Sequence, residues 1–188
     1  MNLLLAFAPF IVFVVAERLL GIPAGLAGGA LAAAALLARD VLMPRRSPTL
    51  LGIGILLLFG GLSLLVLTIG ADWSIADVRL RVDGGLLLIV LLSMVLSRPF
   101  SLQYAHEDME QRVDRQHRGT PEFLRIHYVI SAAWAAAFGV LVLGDAVMAF
   151  MPTALPEAGS VLVPALALAA AAWFTVWYPE QRRAAKPT

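Results

Sequence analysis

The chain has no cysteine at all among its 188 residues. Disulfides, thiol nucleophiles and cysteine metal sites are therefore excluded, and cysteine usage carries no redox-compartment signal. Charge is also scarce: 14% of residues are Asp, Glu, Lys or Arg, against about a quarter in a soluble domain. Lysine occurs once, at Lys186, so nearly all basic residues are arginine. With the Ala-rich blocks, this usage points to a GC-rich bacterial genome. No basic block interleaved with aromatics is present, which argues against nucleic acid as a partner. No GxSxG, P-loop or Gly-rich dinucleotide fingerprint occurs, and neither Ser97 nor Ser101 has the sequence context of a nucleophile.

What is abundant is apolar surface: 60% of residues are hydrophobic, and the mean hydropathy is +0.83. The few charges cluster between long apolar blocks, the pattern of an integral membrane protein. A transmembrane helix needs about 20 mostly apolar residues. Six segments qualify, at about 2–20, 23–38, 50–70, 80–97, 122–143 and 161–178. The first lacks the basic stretch of a signal peptide, since Arg18 follows the apolar run, and is expected to be retained. Positively charged loops stay in the cytoplasm. Arg39, Arg45 and Arg46, then Arg98, Arg112, Arg115, Arg118 and Arg125, then Arg182, Arg183 and Lys186 fall on one side only with six spans and both termini inside. The expected fold is all-α: one polytopic membrane domain in the inner membrane, with a cytoplasmic loop at 98–121. Trp73, Trp173, Trp177 and Tyr178 occupy interfacial belt positions.

Glycines mark expected packing faces: Gly25, Gly28 and Gly29 in the second span, and Gly52, Gly54, Gly60 and Gly61 in the third. Gly25 and Gly29 form a GxxxG, read as helix packing more than as a dedicated dimerisation motif. A homo-oligomer stays open.

The 98–121 loop holds most of the polar chemistry. Pro99 should end the fourth span or kink its exit, leaving Arg98 at the headgroup level. Leu102, Ala105, Met109 and Val113 recur at helical spacing, and His106, Glu107, Asp108, Glu110 and Gln111 cover much of the rest. That pattern predicts an amphipathic surface helix over about 101–117. His106 and Glu110 share a face, but the arrangement matches no recognised metal motif and arginines compete; neither a metal nor another cofactor is expected. Thr120-Pro121-Glu122 supplies an N-cap, a first-turn proline and an acid at the positive helix end, so the fifth helix should start there. Arg125 and His127 follow in its first two turns. His106, His117 and His127 lie near one membrane surface, which excludes a haem held between histidines deep in the bundle.

Glu17 and Arg18 are membrane-embedded charges near the outer end of the first span, and diverge by about 100° on a helix. Asp145 is similar at the end of the fifth span. No span carries a central charge, which argues against ion- or proton-coupled transport.

Two resemblances add to this reading. LLAFAPFIVFVVAERLLGIPAGLAGGALAAAALL, ILLLFGGLSLL and FLRIHYVISAAWAAAFGVL resemble, in layout over most of the chain, the intracellular septation protein A family of inner-membrane-spanning proteins. That implies a role in envelope maintenance or division without catalysis, through lipids and protein partners in the membrane. Separately, RPFSLQYAHE and TPEFLRIHYVISAAW resemble a pattern in uncharacterised bacterial multi-pass proteins, which implies weight on Pro99, Phe100, Gln103, Tyr104, Glu107, Pro121, Phe123 and Arg125. The candidate polar cluster is Arg98, Gln103, Tyr104, His106, Glu107, Arg125 and His127. Alternatives are a channel or carrier for a small or lipid-like solute and an accessory subunit of a larger membrane complex.

Overall fold

The computed structural model describes residues 5, 7–42, 49–70, 72–97, 99–101, 121–151 and 157–184, with the side chains of 162–182 in the last helix. Among these residues there are six helices and no strand: α1 (Ala8–Leu20), α2 (Ile22–Leu42), α3 (Leu50–Ile69), α4 (Ile75–Val95), α5 (Pro121–Phe150) and α6 (Glu157–Ala184). Four helices are long and apolar enough to cross a membrane: α2, α3, α5 and, over Leu162–Arg182, α6. The described part of α1 has 13 residues, about 20 Å at helical rise and short of a bilayer core. The first half of α4 carries Asp77, Arg79, Arg81 and Asp83.

Local sequence accounts for the helix limits. Thr49 caps α3, its hydroxyl accepting from the Gly52 amide at 3.1 Å, and Gly70 closes α3 in the left-handed region at φ 61°. A capping box starts α4: Asp77 N–H donates to Ser74 Oγ, and the Ser74 amide donates back to Asp77 Oδ2 at 3.1 Å. This places the start of α4 ahead of the apolar run that begins near Leu80. At its other end α4 stops at Val95, before Pro99, and Ser97 adopts a left-handed φ of 56°. The α5 helix begins at Pro121, as the Thr-Pro-Glu signal predicts, and runs through Asp145 to Phe150. Pro164 and Pro179 lie inside α6.

The helices pack through glycine at particular points. A Cβ on Gly25 would sit 2.7 Å from Glu17 Cβ and 3.0 Å from Phe13 O, so α1 and α2 touch backbone to backbone there. Gly29 faces the Phe59 ring of α3, where a Cβ would lie 2.9 Å from a ring carbon. The two GxxxG glycines thus serve two different neighbours within the chain. Gly54 takes Ile89 of α4, and Gly85 of α4 takes Leu58 of α3, a reciprocal fit. Gly60 and Gly61, in contrast, face open space.

An aromatic seam joins the first three helices to the last three. Phe59 meets Phe10 at 5.1 Å and Phe13 at 5.5 Å between ring centroids. Phe7, just ahead of α1, stacks on Trp134 of α5 at 5.5 Å, and Trp134 meets Phe100 edge-on at 6.4 Å. Such pairs add about 0.5–1.5 kcal/mol each beyond their buried area. The face of α4 that enters this core is Val78, Val82, Leu86 and Val90. Among the described side chains of α6, only Ala171 is buried; α6 is held to α5 by the Trp134 indole N–H, which donates to Thr175 Oγ1 at 2.9 Å.

Candidate functional site

The residues that follow α4 fold back onto α5. Pro99 and Phe100 are buried. The Phe100 amide donates to Ser93 Oγ at 3.2 Å, while the Ser93 hydroxyl donates to Val90 O at 2.7 Å. Tyr128 Oη donates to Met94 O at 3.1 Å, tying α5 to the last turn of α4. Ser101 then docks against α5: its Oγ lies 2.9 Å from His127 O, 3.2 Å from His127 Nδ1 and 3.1 Å from Ser131 Oγ.

A hydroxyl has one proton, and a carbonyl oxygen can only accept, so the Ser101 proton goes to His127 O. His127 Nδ1 and Ser131 Oγ lie within hydrogen-bond distance of the same Ser101 oxygen. Ser101 is thereby engaged by three polar atoms of α5. His127 is 8% exposed, and the Phe123 ring meets its ring edge-on at 4.6 Å. It is a residue of the helix contact.

Of the sequence-expected polar cluster, the structure brings His127 together with Ser101 and Ser131, neighbours the sequence does not single out for this role. Arg125 is exposed. Arg98, Gln103, Tyr104, His106 and Glu107 lie outside the described residues, as do His117 and the expected surface helix over 101–117 beyond Ser101. At the other end, Glu17 is half-buried against Gly25, while Arg18 is exposed; the 100° divergence leaves the two side chains on different faces.

Two carboxyl groups that the sequence does not connect meet between α4 and α5. Asp145 is 3% exposed. Asp83 of α4 and Asp145 of α5 act directly on each other, and the Arg79 guanidinium acts on both. Arg79 and Asp83 are four residues apart, hence on one face of α4. The sequence hides this arrangement because the two acids come from different helices, and Asp83 stands ahead of most of the apolar run of α4. The signal available in the sequence is the Arg79-Asp83 spacing together with an Asp directly inside a long apolar helix. A second buried acid, Asp40, is 3% exposed at the end of α2 and pairs with Arg39 Nη2 at 3.0 Å.

At the start of α4, ahead of its apolar part, the Ser74 hydroxyl and amide bonds hold the Asp77 carboxyl below the usual aspartate range, with Arg81 adding to the effect. Arg81 also lies 4.3 Å from the Trp73 ring centroid. Trp73 is half-buried at this end.

No family model, no curated protein and no solved structure matches the chain.

Proposed function

We propose that the chain is a six-span inner-membrane protein with both termini cytoplasmic, which works without catalysis through contacts with lipid and with other membrane proteins, in envelope maintenance or division. The observation that carries this reading is α6. Leu162, Val163, Leu166, Trp173 and Val176 are exposed along it, giving it a broad apolar face for lipid or a partner helix. The inner-end hydroxyls support a non-enzymatic role, since Ser93, Ser101 and Ser131 are engaged in holding the chain to α5. The arginine distribution supports the orientation, and the resemblance of the quoted segments to septation proteins is what points to the envelope role.

Copurification in mild detergent, with identification of bound proteins and lipids, tests the function. A deletion strain with normal division and envelope integrity under stress would sink the envelope reading. Topology is tested by Ser74→Cys, Asp108→Cys, Glu157→Cys and Ala184→Cys in this cysteine-free chain. Labelling of position 108 from outside would overturn the orientation.

A second reading is a carrier for a small or lipid-like solute, and the Arg79–Asp83–Asp145 set favours it, because ionisable groups inside membrane helices are costly and tend to serve function. Solute-dependent flux into liposomes by the purified protein alone would select it over the contact role. Stoichiometric copurification with one large complex would instead make the protein an accessory subunit.

A further inference from the structure

The α4–α5 contact holds a polar atom whose chemistry is incomplete. Asp145 is 3% exposed, and its Oδ2 is buried with no hydrogen-bond partner among the described residues. A buried acceptor left unmatched costs about 1–3 kcal/mol, more when charged. Asp83 faces the same point from α4, with Arg79 acting on both carboxyls.

The charge balance is simple. Two ionised carboxylates beside one guanidinium leave a net negative charge between helices whose neighbouring buried side chains include Val78, Val82 and Leu141. Like charges so placed repel strongly where the surroundings screen poorly. Among the described side chains, α3 has no charged residue between Leu50 and Ile69, and α6 has none between Leu162 and Tyr178. Glu17 of α1 lies against Gly25 of α2. Among the described residues, Arg79 is the charged group acting on the pair. One added proton makes the three-residue set neutral and supplies the donor that the pair lacks.

We propose that Asp83 and Asp145 form a proton-binding site, a carboxyl–carboxylate pair that holds one exchangeable proton between α4 and α5 with Arg79 as its counter-ion. A divalent metal fits poorly: calcium takes six to eight oxygens and magnesium an octahedral set, and the positive charge of Arg79 already acts on the two carboxyls. Asp83 lies about 12 Å along α4 from its first residue, and both Asp83 and Arg79 are only half-buried, so exchange occurs through that end of the helix pair. When the proton leaves to water, the set passes from neutral to singly negative, and two like charges then oppose each other across the α4–α5 contact. The helix contact thereby becomes sensitive to the pH of the side it opens to.

The test is infrared difference spectroscopy on the full chain in phosphatidylethanolamine–phosphatidylglycerol nanodiscs, in choline chloride buffers of rising pH, with carbon-13 aspartate labelling for assignment. Wild type is expected to show one protonated aspartic acid band that shifts in heavy water and bleaches in a single step as pH rises. D83N and D145N should each abolish the band, because either remaining carboxylate is balanced by Arg79. G84A, which places a methyl in open space, should leave it unchanged. Absence of the band in folded wild type overturns the proposal whether or not the variants fold. Survival of the band in either folded variant also overturns it, since that marks a lone buried acid. Bleaching by sodium in place of choline at fixed pH overturns it in favour of a sodium site.

Discussion

The Ser101 hydroxyl donates to the His127 backbone carbonyl at 2.9 Å, although the His127 ring nitrogen lies only 3.2 Å away. That choice makes Ser101 a clasp between the segment after α4 and the first turns of α5. Ser101→Ala should therefore lower stability in detergent by about 1–2 kcal/mol, the usual cost of a lost bond plus an unmatched buried acceptor. Wild type should also resist a fluorophosphonate probe. Covalent labelling that disappears in Ser101→Ala would show an activated serine and refute the clasp.

The glycines separate into two classes that a sequence cannot distinguish. Gly25→Ala would push its Cβ to 2.7 Å from Glu17 Cβ and 3.0 Å from Glu17 Cα, so α1 and α2 must move apart, at a cost of about 1–3 kcal/mol. Gly60→Ala meets nothing within 4 Å and replaces a poor helix former, for a gain of about 0.5–1 kcal/mol. Thermal unfolding of both variants under one detergent condition checks the opposite signs. Equal losses would mean that the Gly60 face is packed as well.

The same contrast shows what the sequence makes legible. Apolar runs reveal α2 and α3 nearly to their ends, and Thr120-Pro121-Glu122 marks the start of α5, because these signals are local. The start of α4 is less visible: its capping box at Ser74 and Asp77 sits before the hydrophobic run, among charges that read as loop. The true end of α5 is hidden for a related reason. Gly144-Asp145 looks like a terminus, yet Asp145 is buried where Asp83 and Arg79 of another helix meet it. Compensation of charge across two helices is a tertiary fact, and neither periodicity nor window hydropathy records it. The Ser101–His127 contact spans the loop from α4 to α5 and is hidden in the same way.

Asp77 gives a pH prediction with a definite sign. Ser74 Oγ donates to its Oδ2 at 2.7 Å and the Ser74 amide at 3.1 Å, so the folded state favours the carboxylate. Its folded pKa lies below that of an ordinary aspartate. The stabilisation is therefore fully present above the unfolded value and is lost as pH falls through the lower folded one. A carbon-detected NMR titration of labelled aspartate in micelles should place Asp77 below ordinary aspartate. Ser74→Ala should raise that midpoint; no change would remove the capping box as its cause.

The tryptophans report which surfaces meet lipid. Trp173 is 63% exposed and Trp177 38%, stacked on each other at 5.3 Å, whereas Trp134 is 3% exposed behind Phe7, Phe100 and Phe138. In vesicles containing brominated lipid, W73F/W134F protein, whose fluorescence comes from Trp173 and Trp177, should be strongly quenched. W73F/W173F/W177F protein, which retains Trp134 alone, should keep most of its emission, because bromine on an acyl chain must approach a ring closely to quench it. Quenching of Trp134 to the same degree would mean that the aromatic seam opens to lipid. Protection of Trp173 and Trp177 would mean instead that a second protein surface covers α6, as the accessory-subunit reading requires.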